Sequence, residues 1–100
     1  MFIFLKVKRV SPLPGFKLSV LFETGETKIY DVEPLFAHID AFQALEKHPT
    51  LFEDVRVDVG GCGIVWNDDL DLSCDELWTH GVAVNTPFDG LMSLSDATAL

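Results

Sequence analysis

Beyond Arg56 this chain of 100 residues has no lysine and no arginine. All seven basic residues lie between Lys6 and Arg56, where eight acids offset them, and eight further acids follow with no base. Almost all of the net charge of −9 therefore belongs to the second part. Such a surface repels phosphate backbones, which argues against direct nucleic-acid binding. It suits a basic protein partner or a divalent cation. The plainer reading is that acids keep an apolar domain soluble, since 48% of the residues are hydrophobic.

Long apolar runs are missing as well. The longest is Met1 to Leu5, far short of the ~18 residues of a membrane span. Lys6, Lys8 and Arg9 follow that run instead of preceding it, and no small-residue cleavage site comes after, so it does not read as a secretory signal. The expected location is the cytoplasm. Cysteine is scarce: Cys62 and Cys74 are the only two, and in a chain with no export signal they are not a disulfide framework. No CxxC pair exists, and His38, His48 and His80 show no ligand spacing, which argues against structural zinc.

What is present is a pattern of short elements. Residues 2–10 read as a first strand, ended by Ser11-Pro12-Leu13-Pro14-Gly15 because proline lacks a ladder donor. Residues 16–22 alternate, with Phe16, Leu18, Val20 and Phe22 on one face. Glu23-Thr24-Gly25-Glu26 supplies a hairpin turn, and residues 27–32 return with Lys28, Tyr30 and Val32 on one face. Pro34, Leu35 and Phe36 suggest a helical turn. Asp40 with Gln43 reads as a capping box opening a helix over 41–47, which presents Phe42 and Leu45 to the sheet. His48-Pro49 ends it. Leu51 and Phe52 seal the core edge.

Val55, Val57 and Val59 form another alternating strand, Gly60-Gly61-Cys62-Gly63 turns the chain, and residues 64–66 return. Ser73-Cys74-Asp75-Glu76 is a second capping box with acids in the first helical turn. Cys74, Leu77 and Trp78 share its apolar face, and Gly81 is a natural C′ residue. The expected fold is α+β, two-layer, with an antiparallel or mixed sheet of about five strands and two main helices on one face. Residues 1–84 make one domain; the pattern decays over 85–100, a weakly structured tail.

The ordered set Val20-Leu21-Phe22, Gly25-Glu26, Tyr30-Asp31-Val32, Phe42, Leu45, Phe52, Val55-Arg56-Val57, Trp66, Asp71-Leu72-Ser73 and Asp75-Glu76-Leu77 resembles a small bacterial family known as domain of unknown function 2442. The resemblance covers roughly residues 5 to 81, and the segment from Trp66 to Leu77 is its sharpest part. It implies an α+β fold, and relatives that occur alone, fused to helix-turn-helix domains, or encoded beside another small uncharacterised domain (family 4160). That neighbourhood has prompted toxin–antitoxin proposals for the family. Many relatives have an Asn-Gly turn where this chain has Asn67-Asp68-Asp69. The resemblance transfers no catalytic residues and does not reach the tail.

Candidate chemistry is sparse. Asp68, Asp69 and Asp71, with Asp75 and Glu76, could offer oxygen ligands to Ca²⁺ or Mg²⁺, but the glycine and ligand spacing of an EF-hand loop are missing. Asp75 and Glu76 already serve the helix start, and Asp71 is expected to orient the turn by accepting backbone N–H bonds. Cys74 opens a helix, and His80 lies on another face of it and cannot act as its base, so a core-facing thiol is the better reading. Gly60-Gly61-Cys62-Gly63 lacks the Lys-Ser/Thr of a phosphate loop and joins two strands. No triad is recognisable, and nothing selects two carboxylates as an acid–base pair.

The expectation is a non-enzymatic protein-interaction module with no cofactor, an adaptor or antitoxin-like protein binding through Asp68 and Asp69. Phe2 and Phe4, too apolar for a solvated strand, are partner-binding candidates that could also pair across a homo-oligomer. The alternative is a regulatory domain that binds a small molecule or divalent cation between the sheet and the helix at residues 73–79.

Overall fold

A computed structural model of the chain describes residues 5–84. The first four residues and the tail over 85–100 lie outside that range. So do Phe2, Phe4 and the start of the first expected strand.

Three strands form a meander: β1 (Val7–Leu13), β2 (Lys17–Phe22) and β3 (Thr27–Asp31). Four helices of five to seven residues follow the chain: α1 (Glu33–His38), α2 (Gln43–Lys47), α3 (Pro49–Glu53) and α4 (Cys74–His80). Between α3 and α4 run β4 (Arg56–Val57), β5 (Gly63–Asn67) and β6 (Leu70–Ser73), and β7 (Val82–Ala83) comes last. Every pairing is antiparallel. The strands make two sheets, ordered β1-β2-β3-β7 and β4-β5-β6. The α+β class thus holds, but the expected single sheet of about five strands with two helices is replaced by two sheets and four short helices.

Alternation explains which face is buried. Leu18, Val20 and Phe22 of β2 are wholly buried, whereas Lys17 is exposed and Ser19 and Leu21 are half-buried. A period of two cannot place Val7 and Val10 of β1 on one face. The register resolves this: Val7 pairs with Phe22, Val10 with Val20, and a bulge lies between Val7 and Arg9. The extra residue at the bulge turns both valines inward and leaves Lys8 and Arg9 together in solvent.

In the second sheet Ile64, Trp66, Leu70 and Leu72 face the same core, which Phe36, Phe42, Leu45, Phe52 and Leu77 close from the helices. Trp66 is the hub: its ring stacks on Phe52 at 6.2 Å and meets Phe42 edge-on at 5.9 Å. Its indole N–H donates to the Phe52 carbonyl at 3.0 Å, so its one polar atom is not left unpaired.

Several local expectations are corrected. β1 runs through Pro12 to Leu13, because an edge strand tolerates a missing donor. Phe16 belongs to the turn before β2, with φ of 58°. A phenylalanine in this left-handed region is strained by about 1 kcal/mol or more. Its ring compensates with edge contacts to Phe36 and Phe52, at 5.2 and 5.3 Å.

Asp40 caps no helix: it begins a 3-10 turn (Asp40–Phe42) without a side-chain cap, and the Gln43 side chain donates instead to the Phe36 carbonyl at 3.2 Å. Phe42 and Leu45 are nonetheless buried as expected. Pro49 ends α2 and also starts α3, since proline suits a first helical position. The strand expected through Val59 stops at Val57; Val59 is 89% exposed in a 3-10 turn (Val59–Gly61). Gly81 is the C-cap itself, with an ordinary φ of −75°. It is needed for space, because a Cβ there would lie 2.5 Å from the Leu77 carbonyl oxygen.

Candidate functional site

Two features of the described residues can carry function, an acidic turn and a recess beside α4, and both depend on the segment from β5 to α4.

The turn joins β5 to β6. The Asn67 side-chain oxygen accepts the Asp69 N–H at 2.9 Å, a local closure that Asn favours at turns. Asp68 and Asp69 are both exposed at its tip. Asp71 does not orient the turn, as the sequence suggested; it lies on β6, exposed and opposite Val65. Strand alternation separates it from the buried Leu70 and Leu72 on either side. Among the described residues no group of three or more His, Cys, Asp or Glu side chains is gathered as a metal cage, so Asp68, Asp69 and Asp71 are not one. No lysine or arginine among the described residues forms an ion pair with these acids.

α4 begins where expected. Ser73 is its N-cap, and its hydroxyl accepts the Glu76 N–H at 3.2 Å. The reciprocal half of the capping box does not form. The Glu76 carboxylate turns to β3, where the Tyr30 hydroxyl donates to its Oε2 at 2.7 Å, while His80 Nε2 lies 3.8 Å from its Oε1.

The first turn of α4 is thereby tied to the inward face of β3. Near its other end, Lys28 Nζ donates to the Trp78 carbonyl at 2.6 Å and stands 4.0 Å above the Trp78 ring. A cation there meets both an unpaired helix-end carbonyl and an aromatic face. Burial, then the hydrogen bond and charge of Glu76 and the charge of Asp31, hold the Tyr30 hydroxyl well above its ordinary pKa. It is a donor throughout the physiological range.

Tyr30, Asp31, Pro34, Leu35, Glu76 and His80 line a recess of about 240 Å³ between β3, α1 and α4. The composition pointed to none of this triad of Tyr30, Glu76 and His80. The inward parity of Tyr30 and the four-residue spacing of Glu76 and His80 were the available signals.

The remaining expected residues fall elsewhere. Cys74 faces the core and its thiol is pushed up by burial, while Cys62 is exposed; both are free thiols. His38 and His48 are exposed at the ends of α1 and α2 and belong to neither feature. No helix among the described residues is long and apolar enough to cross a membrane.

The fold is similar to that of a crystal structure from Nitrosomonas europaea ATCC 19718, named Putative DNA Binding Protein NE0471, with a TM-score of 0.67 and 22% sequence identity. The likeness covers 79% of this chain and 50% of that one, so this chain spans about half the length of that neighbour. No curated protein matches the chain. The family model described as Protein of unknown function (DUF2442) matches residues 7–83, and the chain belongs to that family.

Proposed function

We propose that this protein is a non-enzymatic interaction module, an adaptor or antitoxin-like protein, whose acidic turn engages a basic or mixed-charge protein partner. The carrying observation is the placement of Asp68 and Asp69 at an exposed hairpin tip, with Asp71 and Asp75 exposed nearby in sequence. Unpaired carboxylates fixed on a hairpin steer association over a Debye length without being needed by the core. Among the described residues β6 is an edge strand, with β5 as its strand neighbour, and an edge strand is a surface on which a partner can pair.

The test is to purify the tagged protein from its native host at low and at moderate salt. A stoichiometric protein that is lost at moderate salt, and lost from the D68N/D69N variant at low salt, supports the reading. Its retention by that variant overturns it.

A second reading is favoured by the recess at Tyr30, Glu76 and His80, which lies beside the helix where a small regulatory ligand was expected. Stabilisation by a metabolite that is insensitive to salt, and abolished by Glu76→Gln, would favour that reading. The neighbour's name speaks of DNA, and the exposed cations Lys8, Arg9 and Lys17 lie on the β1–β2 hairpin. Set against them is the net charge of −9. Titration of the D68N/D69N variant and the parent chain with duplex DNA at low salt separates the two partner classes.

A further inference from the structure

The cysteines are twelve positions apart in sequence and adjacent in space. Gly63 pairs with Ser73 at the end of the β5–β6 ladder, and one step further the Cys74 N–H donates to the Cys62 carbonyl at 3.0 Å. The Cys74 thiol donates to the Gly61 carbonyl at 2.8 Å. That carbonyl belongs to the peptide group carrying the nitrogen of Cys62, so Cys74 touches the peptide groups on both sides of its neighbour.

Antiparallel partners that exchange both backbone bonds have Cα atoms about 5.5 Å apart; Cys62 and Cys74 share one such bond a step past the end of the ladder, where Cys62 turns into αR geometry and Cys74 opens α4. A disulfide spans about 4.4 to 6.8 Å between Cα atoms. The loop is held in place: Gly61 has a φ of 74°, and a Cβ on it would lie 3.0 Å from the Val7 carbonyl oxygen. Gly63 is fixed still more tightly, because a Cβ there would run into the Leu72 carbonyl. The backbone that brings the two cysteines side by side is therefore closely packed against its neighbours.

We propose that Cys62 and Cys74 are a reversible oxidative modification site, closing to a disulfide under peroxide and reopened by small thiols. This goes beyond the interaction reading and does not depend on it. Exposed Cys62 meets the oxidant first: its thiolate attacks one peroxide oxygen, the O–O bond breaks, and a sulfenic acid forms with release of water or hydroxide. The Cys74 sulfur then attacks the Cys62 sulfur, the S–O bond breaks, and water leaves as the S–S bond forms. Overall two thiols and one hydrogen peroxide give one disulfide and two waters. Burial keeps Cys74 protonated and shielded until Cys62 presents an electrophilic sulfur beside it. The closed loop encloses the whole β5–β6 hairpin, including Asp68 and Asp69.

The test is to treat the folded, full chain with equimolar hydrogen peroxide and measure intact mass and free thiols, followed by non-reducing peptide mapping. The expected result is loss of both thiols, a mass lower by two hydrogens, one peptide linking Cys62 to Cys74, and full recovery with reduced glutathione. The C74S variant should stop at a Cys62 sulfenic acid that a sulfenate-specific probe captures. The C62S variant, altered only at an exposed side chain, should keep Cys74 unreacted at the same dose. Sulfinic acid at Cys62 in the parent chain, an intermolecular disulfide, or two thiols that persist would each overturn the proposal.

Discussion

Tyr30 and Glu76, 46 positions apart, are joined by a 2.7 Å hydrogen bond from the tyrosine hydroxyl to Oε2 of the carboxylate. One residue comes from near the end of β3 and the other from the first turn of α4. The bond therefore reports whether the meander and the C-terminal helix are docked. It also explains why Glu76 does not complete the capping box that its spacing from Ser73 advertises.

Tyr30→Phe is expected to cost about 1–2 kcal/mol, the worth of a partly buried hydrogen bond to a charged acceptor. Urea unfolding of the two proteins, compared at neutral pH, measures it. A variant as stable as the parent would show that the docking does not depend on this bond.

The same tyrosine sets an alkaline limit. Its folded pKa is raised above the ordinary value of 10.0, so the folded state holds the proton more tightly than the unfolded state. The stabilisation is fully present below about pH 10 and is lost as pH rises beyond it towards the folded pKa. The chain has one tyrosine, so tyrosinate absorbance reports Tyr30 alone. Ionisation in the native protein should begin at higher pH than in urea, and Tyr30→Phe should remove the associated loss of stability.

Lys28→Met retains much of the aliphatic stem but loses the cation above Trp78 and the donor to its carbonyl. A loss of about 1–2 kcal/mol is expected. A shift in tryptophan fluorescence of the folded state would locate the change at Trp78, since Trp66 lies at the opposite sheet.

Ser73→Ala removes the N-cap of α4 and should cost about 1 kcal/mol in thermal or urea unfolding. Gly63→Ala is expected to be far worse, about 3 kcal/mol or more, because its Cβ would collide with backbone that cannot rotate away. Poor soluble yield with loss of cooperative unfolding would be the outcome for Gly63→Ala. Normal stability would refute the β5–β6 register.

The D68N/D69N variant should leave stability within about 0.5 kcal/mol, as both side chains are exposed. Its partner association should slow and lose salt sensitivity. A large stability loss instead would mean that the acids serve the turn and not a partner.

Much of the fold was legible because short-range rules govern it. Alternation placed Leu18, Val20 and Phe22 in the core, and Gly25 marked the β2–β3 turn. Ser73 marked the start of α4. The misreadings arose where a local signal had a stronger distant competitor. Gln43 found the Phe36 carbonyl instead of a cap, and Val59 lost its strand because Gly60 and Gly61 turn the chain just beyond it. The β6 strand was hidden by its acid: Asp71 looks like turn material until Leu70 and Leu72 are seen to need a buried face on either side of it.

The candidate sites divide in the same way. The α+β class, the acidic charge of the second part and the exposure of Asp68 and Asp69 follow from composition, periodicity and turn chemistry, which act over a few residues. That Tyr30 meets Glu76, that Lys28 covers Trp78 and that Cys62 lies against Cys74 is set by long-range packing. Those contacts depend on how two sheets and a helix close over one core, and no local rule reaches across 46 positions to specify them.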